Sequence, residues 1–280
     1  MNTIKLKNII IAILALLNAL LLALSVTGQL QKQEAYDRSV RELTALYEAN
    51  GLSLRAESLP RNVELPLPSA VRDSAAEANF ARALIPAAGS VDSGGGIYRY
   101  YNVDNPAAGE CLFRSSGAIE ASLQQATEDP AAFCRDLCSE FGYTEFHESF
   151  DGFGGSSTAI RTFDGFKVYN CSLHFSFDGT MLRSVSGTFL PRIPLGDERL
   201  SVDLITALTR FLDYRNSAGL VCTEVRGVDC GYLLQPTAST PLQLVPVAHI
   251  STDVNDYYVN LFTYDISRDN AASIMTLSAE

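Results

Sequence analysis

Three histidines are the side chains best suited to acid–base chemistry or metal binding in this chain of 280 residues, at His147, His174 and His249. His174 and His249 fall in strand-like stretches, where a hydrogen-bonded or half-exposed histidine is the ordinary outcome. The chain has no GxSxG nucleophile elbow, and no Lys-Ser/Thr pair follows the glycine cluster Ser93–Gly96, which excludes a P-loop. The residue types therefore predict no catalytic residue, no cofactor and no enzymatic activity.

The six cysteines are scattered along the chain, at Cys111, Cys134, Cys138, Cys171, Cys222 and Cys230. An even number in an exported domain permits a disulfide framework, whereas dispersed cysteines in a body of this size are equally typical of small buried thiols. Both interpretations remain open at the level of sequence. No CxxC pair is present, so the cysteines do not predict a metal site.

The charge balance excludes one large class of partner. The chain carries 21 basic and 32 acidic side chains, a net charge of −11. An acidic surface repels the phosphate backbone, so we expect no nucleic-acid partner and a well-solvated exported body.

An apolar run from Ile9 to Val26 follows Lys5 and Lys7 and contains one strongly polar side chain, Asn18. At about 1.5 Å per residue, a helix of this length is close to the minimum that crosses a bilayer. We predict a cytoplasmic tail over residues 1–8, a transmembrane helix over 9–27 and a main domain outside the cell membrane, because basic residues stay in the cytoplasm. The alternative is a signal peptide cleaved near residues 23–25.

The elements beyond the run must position any contact with a partner. Residues 29–50 predict a stalk helix, in which Tyr36, Val40, Leu43 and Tyr47 form one apolar stripe. Asn18 in hydrocarbon needs a hydrogen-bond partner, either in its own helix or in another one. We therefore treat Asn18 and the four stripe residues as candidate partner contacts, although a stripe of this kind also packs on its own domain.

The remaining chain predicts an α+β body in which a helix followed by an antiparallel sheet occurs twice. The expected boundaries are 28–127 for the stalk helix and N-terminal subdomain, 128–196 for a middle module, 197–269 for a C-terminal module and 270–280 for a tail. Helices are predicted over 74–84, 129–141 and 201–214. Strands are predicted over 144–150, 157–163, 167–177, 182–190, 220–225, 231–235, 242–251 and 257–264.

Three tyrosines offer an alternative function. Tyr98, Tyr100 and Tyr101 fall in a strand-like stretch, 97–103, and suit a groove that binds a peptide or a cell-wall fragment, although half-buried strands favour tyrosine in any case. The alternative is thus an extracytoplasmic binding module without catalytic activity.

Several segments resemble a known family. They are Leu16-Leu17-Asn18-Ala19-Leu20-Leu21, Leu46-Tyr47-Glu48-Ala49-Asn50-Gly51, Gly231-Tyr232, Leu244-Val245-Pro246-Val247-Ala248-His249-Ile250 and Tyr257-Tyr258-Val259-Asn260. In their order they are similar to the YycI/YycH regulators of Gram-positive bacteria, although Ala248 stands where that family usually has Trp, and Tyr264-Asp265 replaces its closing Gly. The resemblance implies that this chain is a single-pass membrane protein with PepSY-like modules and no catalytic residues. It also implies two partners, the sensor histidine kinase WalK (YycG) of a two-component regulatory system and a paralogous regulator.

Overall fold

Four α-helices are present in the part of the chain that the computed structural model describes, which is residues 3–55, 57, 59–67, 72–86, 88–235 and 242–268. In the first helix, the described side chains are those of residues 13–14, 16–22, 24–25, 27, 31 and 33–49. The helices are α1 (Thr3–Ala49), α2 (Ser74–Leu84), α3 (Pro130–Glu140) and α4 (Leu204–Ser217). A short 3-10 turn spans Pro106–Ala108.

The predicted helices after α1 are confirmed, and each begins at an aspartate. The carboxylate of Asp129 accepts hydrogen bonds from the backbone of Ala131 and Ala132 at 3.0 and 3.1 Å, and Pro130 occupies the first turn. Asp73 and Asp203 cap α2 and α4 in the same way. The last of these helices was predicted to begin at residue 201. It begins at 204 because Arg199–Ser201 instead forms a strand that pairs with Glu64–Pro66.

Fifteen strands occupy the described residues. They are β1 (Ser53–Leu54), β2 (Glu64–Pro66), β3 (Ala88–Asp92), β4 (Tyr98–Asn102), β5 (Gly109–Phe113), β6 (Ala118–Ala126), β7 (Tyr143–Asp151), β8 (Gly154–Phe163), β9 (Phe166–Asp178), β10 (Met181–Thr188), β11 (Arg199–Ser201), β12 (Glu224–Gln235), β13 (Gln243–Thr252), β14 (Asp256–Asn260) and β15 (Ile266–Arg268).

Thirteen of these strands form one sheet, ordered β15-β14-β13-β12-β9-β10-β6-β5-β4-β3, with β7 and β8 joined through β9 and β1 joined to β12. The body is therefore α+β. The predicted hairpin at Asp178-Gly179 joins β9 to β10, and its alternation is confirmed, since Leu173, Phe175 and Phe177 are buried. β6 pairs with β10, so the sheet runs unbroken across residue 127, where the sequence predicted a boundary.

The C-terminal strands join the middle ones at a narrow parallel contact. Tyr232 of β12 is in register with Val168 of β9, and two residues further along β9 the side chain of Asn170 replaces backbone pairing. Its amide donates to the Leu234 carbonyl at 2.8 Å and accepts from the Leu234 backbone at 2.7 Å. Gly231 is required beside it, because a Cβ there would lie 2.8 Å from the ring of Tyr169. One sheet thus connects the two predicted modules.

Two strand predictions were wrong in their bounds. The predicted strand 220–225 is wrong over 220–223, because β12 begins only at Glu224. Its last two residues and the predicted strand 231–235 belong to the single strand β12, because Gly227 marks a bulge and not an end. The predicted strand 257–264 stops at Asn260, since Tyr264 takes a positive φ of 58° in the turn that leads into β15.

Over the described residues, no helix has both the length and the apolar character needed to cross a membrane. The predicted span, 9–27, includes residues 9–12, 15, 23 and 26, whose side chains lie outside the described ones. The predicted cytoplasmic tail, 1–8, also lies outside the described side chains, and the predicted C-terminal tail, 270–280, lies outside the described residues.

Candidate functional site

The predicted contact residues all lie on α1, which is one continuous helix from Thr3 to Ala49. Asn18 is exposed, and Tyr36 is half buried. The other three stripe residues are buried in the core, with Val40 8 %, Leu43 4 % and Tyr47 0 % exposed. Internal packing thus accounts for the apolar character of these three, and their contact with a partner stays a prediction.

Tyr47 ties the end of α1 to the C-terminal helix. Its hydroxyl donates a buried hydrogen bond of 2.7 Å to the carbonyl oxygen of Leu208 in α4. Burial raises the pKa of Tyr47 far above its ordinary value of 10.0, so the hydroxyl stays protonated and remains a donor. The Tyr47 hydrogen bond therefore fixes the stripe to α4 in addition to the apolar contacts.

Tyr36 marks the point at which α1 first meets the body. Its hydroxyl donates to the carbonyl oxygen of Pro60 at 3.2 Å, and the guanidinium of Arg61 lies over its ring, 6.0 Å from the centroid. Arg61 also pairs with Asp37 of α1 at 3.1 Å. Burial raises the pKa of Tyr36, and the nearby Arg61 charge opposes that rise. These residues form a small polar platform, here called the lower platform (Tyr36, Asp37, Pro60 and Arg61).

The far end of α1 is closed by residues of α4. Arg215 donates hydrogen bonds of 3.0 Å to the carbonyls of Asn50 and Cys222, and the Asn216 amide donates to the Asn50 side chain at 3.0 Å. The last turn of α1 has no basic residue of its own. A guanidinium at the carbonyl end of a helix complements its dipole, so α4 supplies the charge that α1 lacks.

A parallel strand contact completes this junction. Directly after α1, the backbone of Ser53 donates to the Thr223 carbonyl at 2.9 Å, and β1 pairs with the start of β12. Sequence reasoning missed Arg61, Arg215 and Asn216. No local signal identifies Arg215 or Asn216, because each acts on residues about 165 positions away along the chain.

The histidines do not converge on a reactive centre. His147 is exposed, His174 shares a 3.0 Å contact with Thr158, and His249 lies 3.4 Å from a carboxylate oxygen of Asp256. Within the described residues, no three His, Cys, Asp or Glu side chains are grouped to hold a metal ion.

All six cysteines are free and buried, which resolves the alternative that the sequence left open in favour of buried thiols. Burial raises the pKa of Cys134, Cys171 and Cys230 to about 12 from an ordinary value of 9.0. These thiols are therefore protonated at neutral pH and are poor nucleophiles.

The three tyrosines of the alternative function do not line one groove. Tyr100 is buried against Phe113, with ring centroids 5.7 Å apart, while Tyr101 lies on the opposite face of β4 beside Arg99. Tyr98 packs under the guanidinium of Arg72 at 4.9 Å. The two-residue period of a strand separates Tyr101 from the other two.

No protein-family model matches the chain, and no curated protein matches it. The solved structures that are similar include three of low identity. An uncharacterized protein from Eubacterium rectale is 11 % identical with a TM-score of 0.41, and the match covers 75 % of this chain and 81 % of that one. The Bacillus megaterium YpeB C-terminal domain is 10 % identical with a TM-score of 0.31, covering 71 % and 99 %. YycH from Bacillus subtilis is 11 % identical with a TM-score of 0.38, covering 75 % of this chain and 53 % of YycH. Likenesses at this level do not assign a family.

Proposed function

We propose that this protein is a membrane-anchored extracytoplasmic regulator that binds a two-component sensor histidine kinase and modulates its activity. The proposal assigns it no catalytic role. The apolar run before residue 27, with Lys5 and Lys7 before it, supports an anchor with a cytoplasmic N-terminus and an outer main domain.

The observation that carries the proposal is the continuity of α1. One helix includes the apolar run at its start and is fixed to the outer body at its end by Tyr47, by Arg215 and by β1. A helix of 47 residues is about 70 Å long, enough to connect the two compartments without a joint. A tilt or shift of the body is therefore passed to the membrane segment of the same helix.

The mechanism is a population shift. If the chain makes better contacts with one kinase conformation than with the other, it biases the kinase by that difference in binding free energy. Asn18 in the membrane and the lower platform outside it supply polar groups for such contacts.

The test uses the full-length chain. Tagged protein is purified from detergent-solubilised membranes of its own cell, and any histidine kinase that co-purifies is identified by mass spectrometry. The kinase is then reconstituted in vesicles with and without the chain, and its autophosphorylation is measured. The proposal predicts a changed rate when the chain is present. A chain that recovers no kinase, or leaves the autophosphorylation rate unchanged, contradicts it.

A further inference from the structure

We infer that the partner's membrane helix lies on the side of α1 that carries the outer domain, where it pairs with Asn18, and that its outer flank meets the lower platform. This inference rests on the proposed function and adds the face of α1 on which the partner lies.

The side follows from helix geometry. Asn18 precedes Tyr36 by 18 residues, which is about five complete turns at 3.6 residues per turn, so both side chains leave α1 in the same direction. The buried residues Val40, Leu43 and Tyr47 lie within about 40° of that direction at about 100° per residue. Because α1 is unbroken between these positions, Asn18 is on the domain side.

Among the described side chains of the predicted span, those on the opposite side are apolar except for Thr27, whose hydroxyl donates to the Leu24 carbonyl of the same helix at 3.0 Å. Leu16 and Leu20 are exposed and lie about 160° from Tyr36 around the helix. Leucine side chains are satisfied by lipid, whereas an amide in hydrocarbon is stabilised by a hydrogen-bonding group on a second helix. The occupant that suits the domain side is thus a membrane helix with a side chain that hydrogen-bonds to an amide.

The distance of the lower platform from Asn18 along the helix axis places it where it can make a second contact with the partner. Tyr36 lies about 27 Å above Asn18 along the helix axis, at about 1.5 Å per residue. With Asn18 near the middle of a hydrocarbon core about 30 Å thick, the lower platform is within about 12 Å of its outer edge. A helix paired with Asn18 would emerge directly beneath this platform. The side chains of Arg61 and Asp37 are 57 % and 35 % exposed and present both charges to it.

The contact surface is therefore continuous with the interface between α1 and its own body. The stripe that holds the body begins at Tyr36, and Asn18 extends the same line of the helix toward the cytoplasm. The partner occupies that line where the body no longer covers it.

The experiment places a photo-crosslinking benzophenone amino acid at single positions of the full-length chain in the membranes of its own cell. Leu14, Leu22 and Arg61 are the test positions, since Leu14 and Leu22 lie about one turn to either side of Asn18. Leu16, Leu20 and Arg41 are the matched controls on the opposite side. Circular dichroism confirms that each substituted chain retains its fold.

We expect kinase adducts at Leu14, Leu22 and Arg61 in several-fold higher yield than at the three controls. Equal or higher yields at Leu16 and Leu20 would overturn the inference and leave the proposed function standing. A kinase that co-purifies without forming an adduct at any test position would do the same. Adducts of twice the chain mass would make the occupant a second copy and overturn the assignment to a different protein. Failure to recover a kinase, together with failure to form any adduct, would overturn both proposals.

Discussion

The hydroxyl of Tyr47 reaches across 161 residues of sequence to donate a 2.7 Å hydrogen bond to the carbonyl oxygen of Leu208. Both residues are fully buried. The bond joins the last turns of α1 to the middle of α4, so the orientation of the long helix is coupled to the C-terminal part of the sheet.

Replacing Tyr47 with Phe removes this bond and keeps the ring. We expect the free energy of unfolding to fall by about 1 kcal/mol, the usual net value of a buried hydrogen bond. Urea unfolding of the full-length chain in detergent, followed by circular dichroism because the chain has no Trp, measures the change. Tyr101→Phe, on the open face of β4, is the matched control and leaves the midpoint unchanged. Equal effects of the two variants would show that the Leu208 bond contributes nothing.

Replacing Arg215 with Ala removes one hydrogen bond to Asn50 at the end of α1, one hydrogen bond to Cys222 before β12, and the cation at the carbonyl terminus of α1. We expect a loss of about 2 kcal/mol, since bonds to charged donors are stronger than neutral ones. Hydrogen exchange should accelerate in the last turn of α1. Arg210→Ala, at an exposed position of the same helix, is the control and should have little effect. Unchanged exchange in the last turn would mean that α1 ends without help from α4.

Gly142→Ala tests the buried arginine of the middle part of the sheet. Gly142 has a positive φ of 85°, and a Cβ there would overlap the guanidinium of Arg161, which donates to the carbonyls of Gly142 and Pro191 at 2.6 and 3.1 Å. The neighbour is the end of a long side chain, but that side chain is buried, with 3 % of its surface exposed.

The control for that substitution is Gly219→Ala, where φ is 64° and nothing lies within 4 Å of the new Cβ. It should cost about 1 kcal/mol for the backbone alone. Gly142→Ala should cost about 2 kcal/mol more, because it also strips hydrogen bonds from a buried charge. Similar urea midpoints for the two variants would show that Arg161 relaxes freely.

The free energy of unfolding should be lower at alkaline pH than at neutral pH. The folded state holds the pKa of Cys171 at about 12, chiefly because of burial, against an ordinary value of 9.0. The unfolded chain loses the Cys171 proton at a lower pH than the folded chain does, so ionisation of this thiol favours unfolding. This contribution to stability is complete below pH 9 and is lost as the pH rises toward 12, by up to about 1.4 kcal/mol per pH unit.

Cys171→Ala removes one such group, so its free energy of unfolding should fall less steeply than that of the wild type between pH 9 and 11. Urea titrations at each pH measure both slopes. Identical slopes would show that Cys171 does not ionise differently in the two states.

Moving the amide of Asn18 along α1 tests both the presence and the direction of the proposed kinase contact. Asn18→Leu should weaken co-purification of the kinase by about threefold to thirtyfold, which corresponds to a membrane hydrogen bond of about 0.6–2 kcal/mol. In the double variant Asn18→Leu, Leu20→Asn the amide faces away from the outer domain. We expect no rescue, measured as kinase recovered per chain. Full recovery with the moved amide would show that polarity alone matters.

Local sequence signals located the helices and most strands. The helix start was predicted from Asp129-Pro130, and the hairpin was predicted from Asp178-Gly179. Both signals act through hydrogen bonds within a few residues, so the sequence alone was enough to recognise them. The bulge at Gly227 was missed because a glycine inside a strand and a glycine after a strand look the same in sequence.

The candidate contact residues could be predicted only in part. The spacing of Val40, Leu43 and Tyr47 identified one helical stripe, but a stripe of this kind does not specify what covers it. The structure covers these three with the body of the protein itself. The Tyr98–Tyr101 groove failed for a related reason, since strand alternation sends Tyr100 and Tyr101 to opposite faces.

The sequence by itself determined the acidic charge, the apolar run, the helical phase that places Asn18 in line with Tyr36, and the order of helices and strands. These depend on composition and on contacts within a few residues. Only the tertiary structure decided that Arg215 closes α1, that Asn170 joins β9 to β12, and that all six thiols are buried and free. Such contacts join residues far apart in sequence, and they form only when the whole sheet and core have packed.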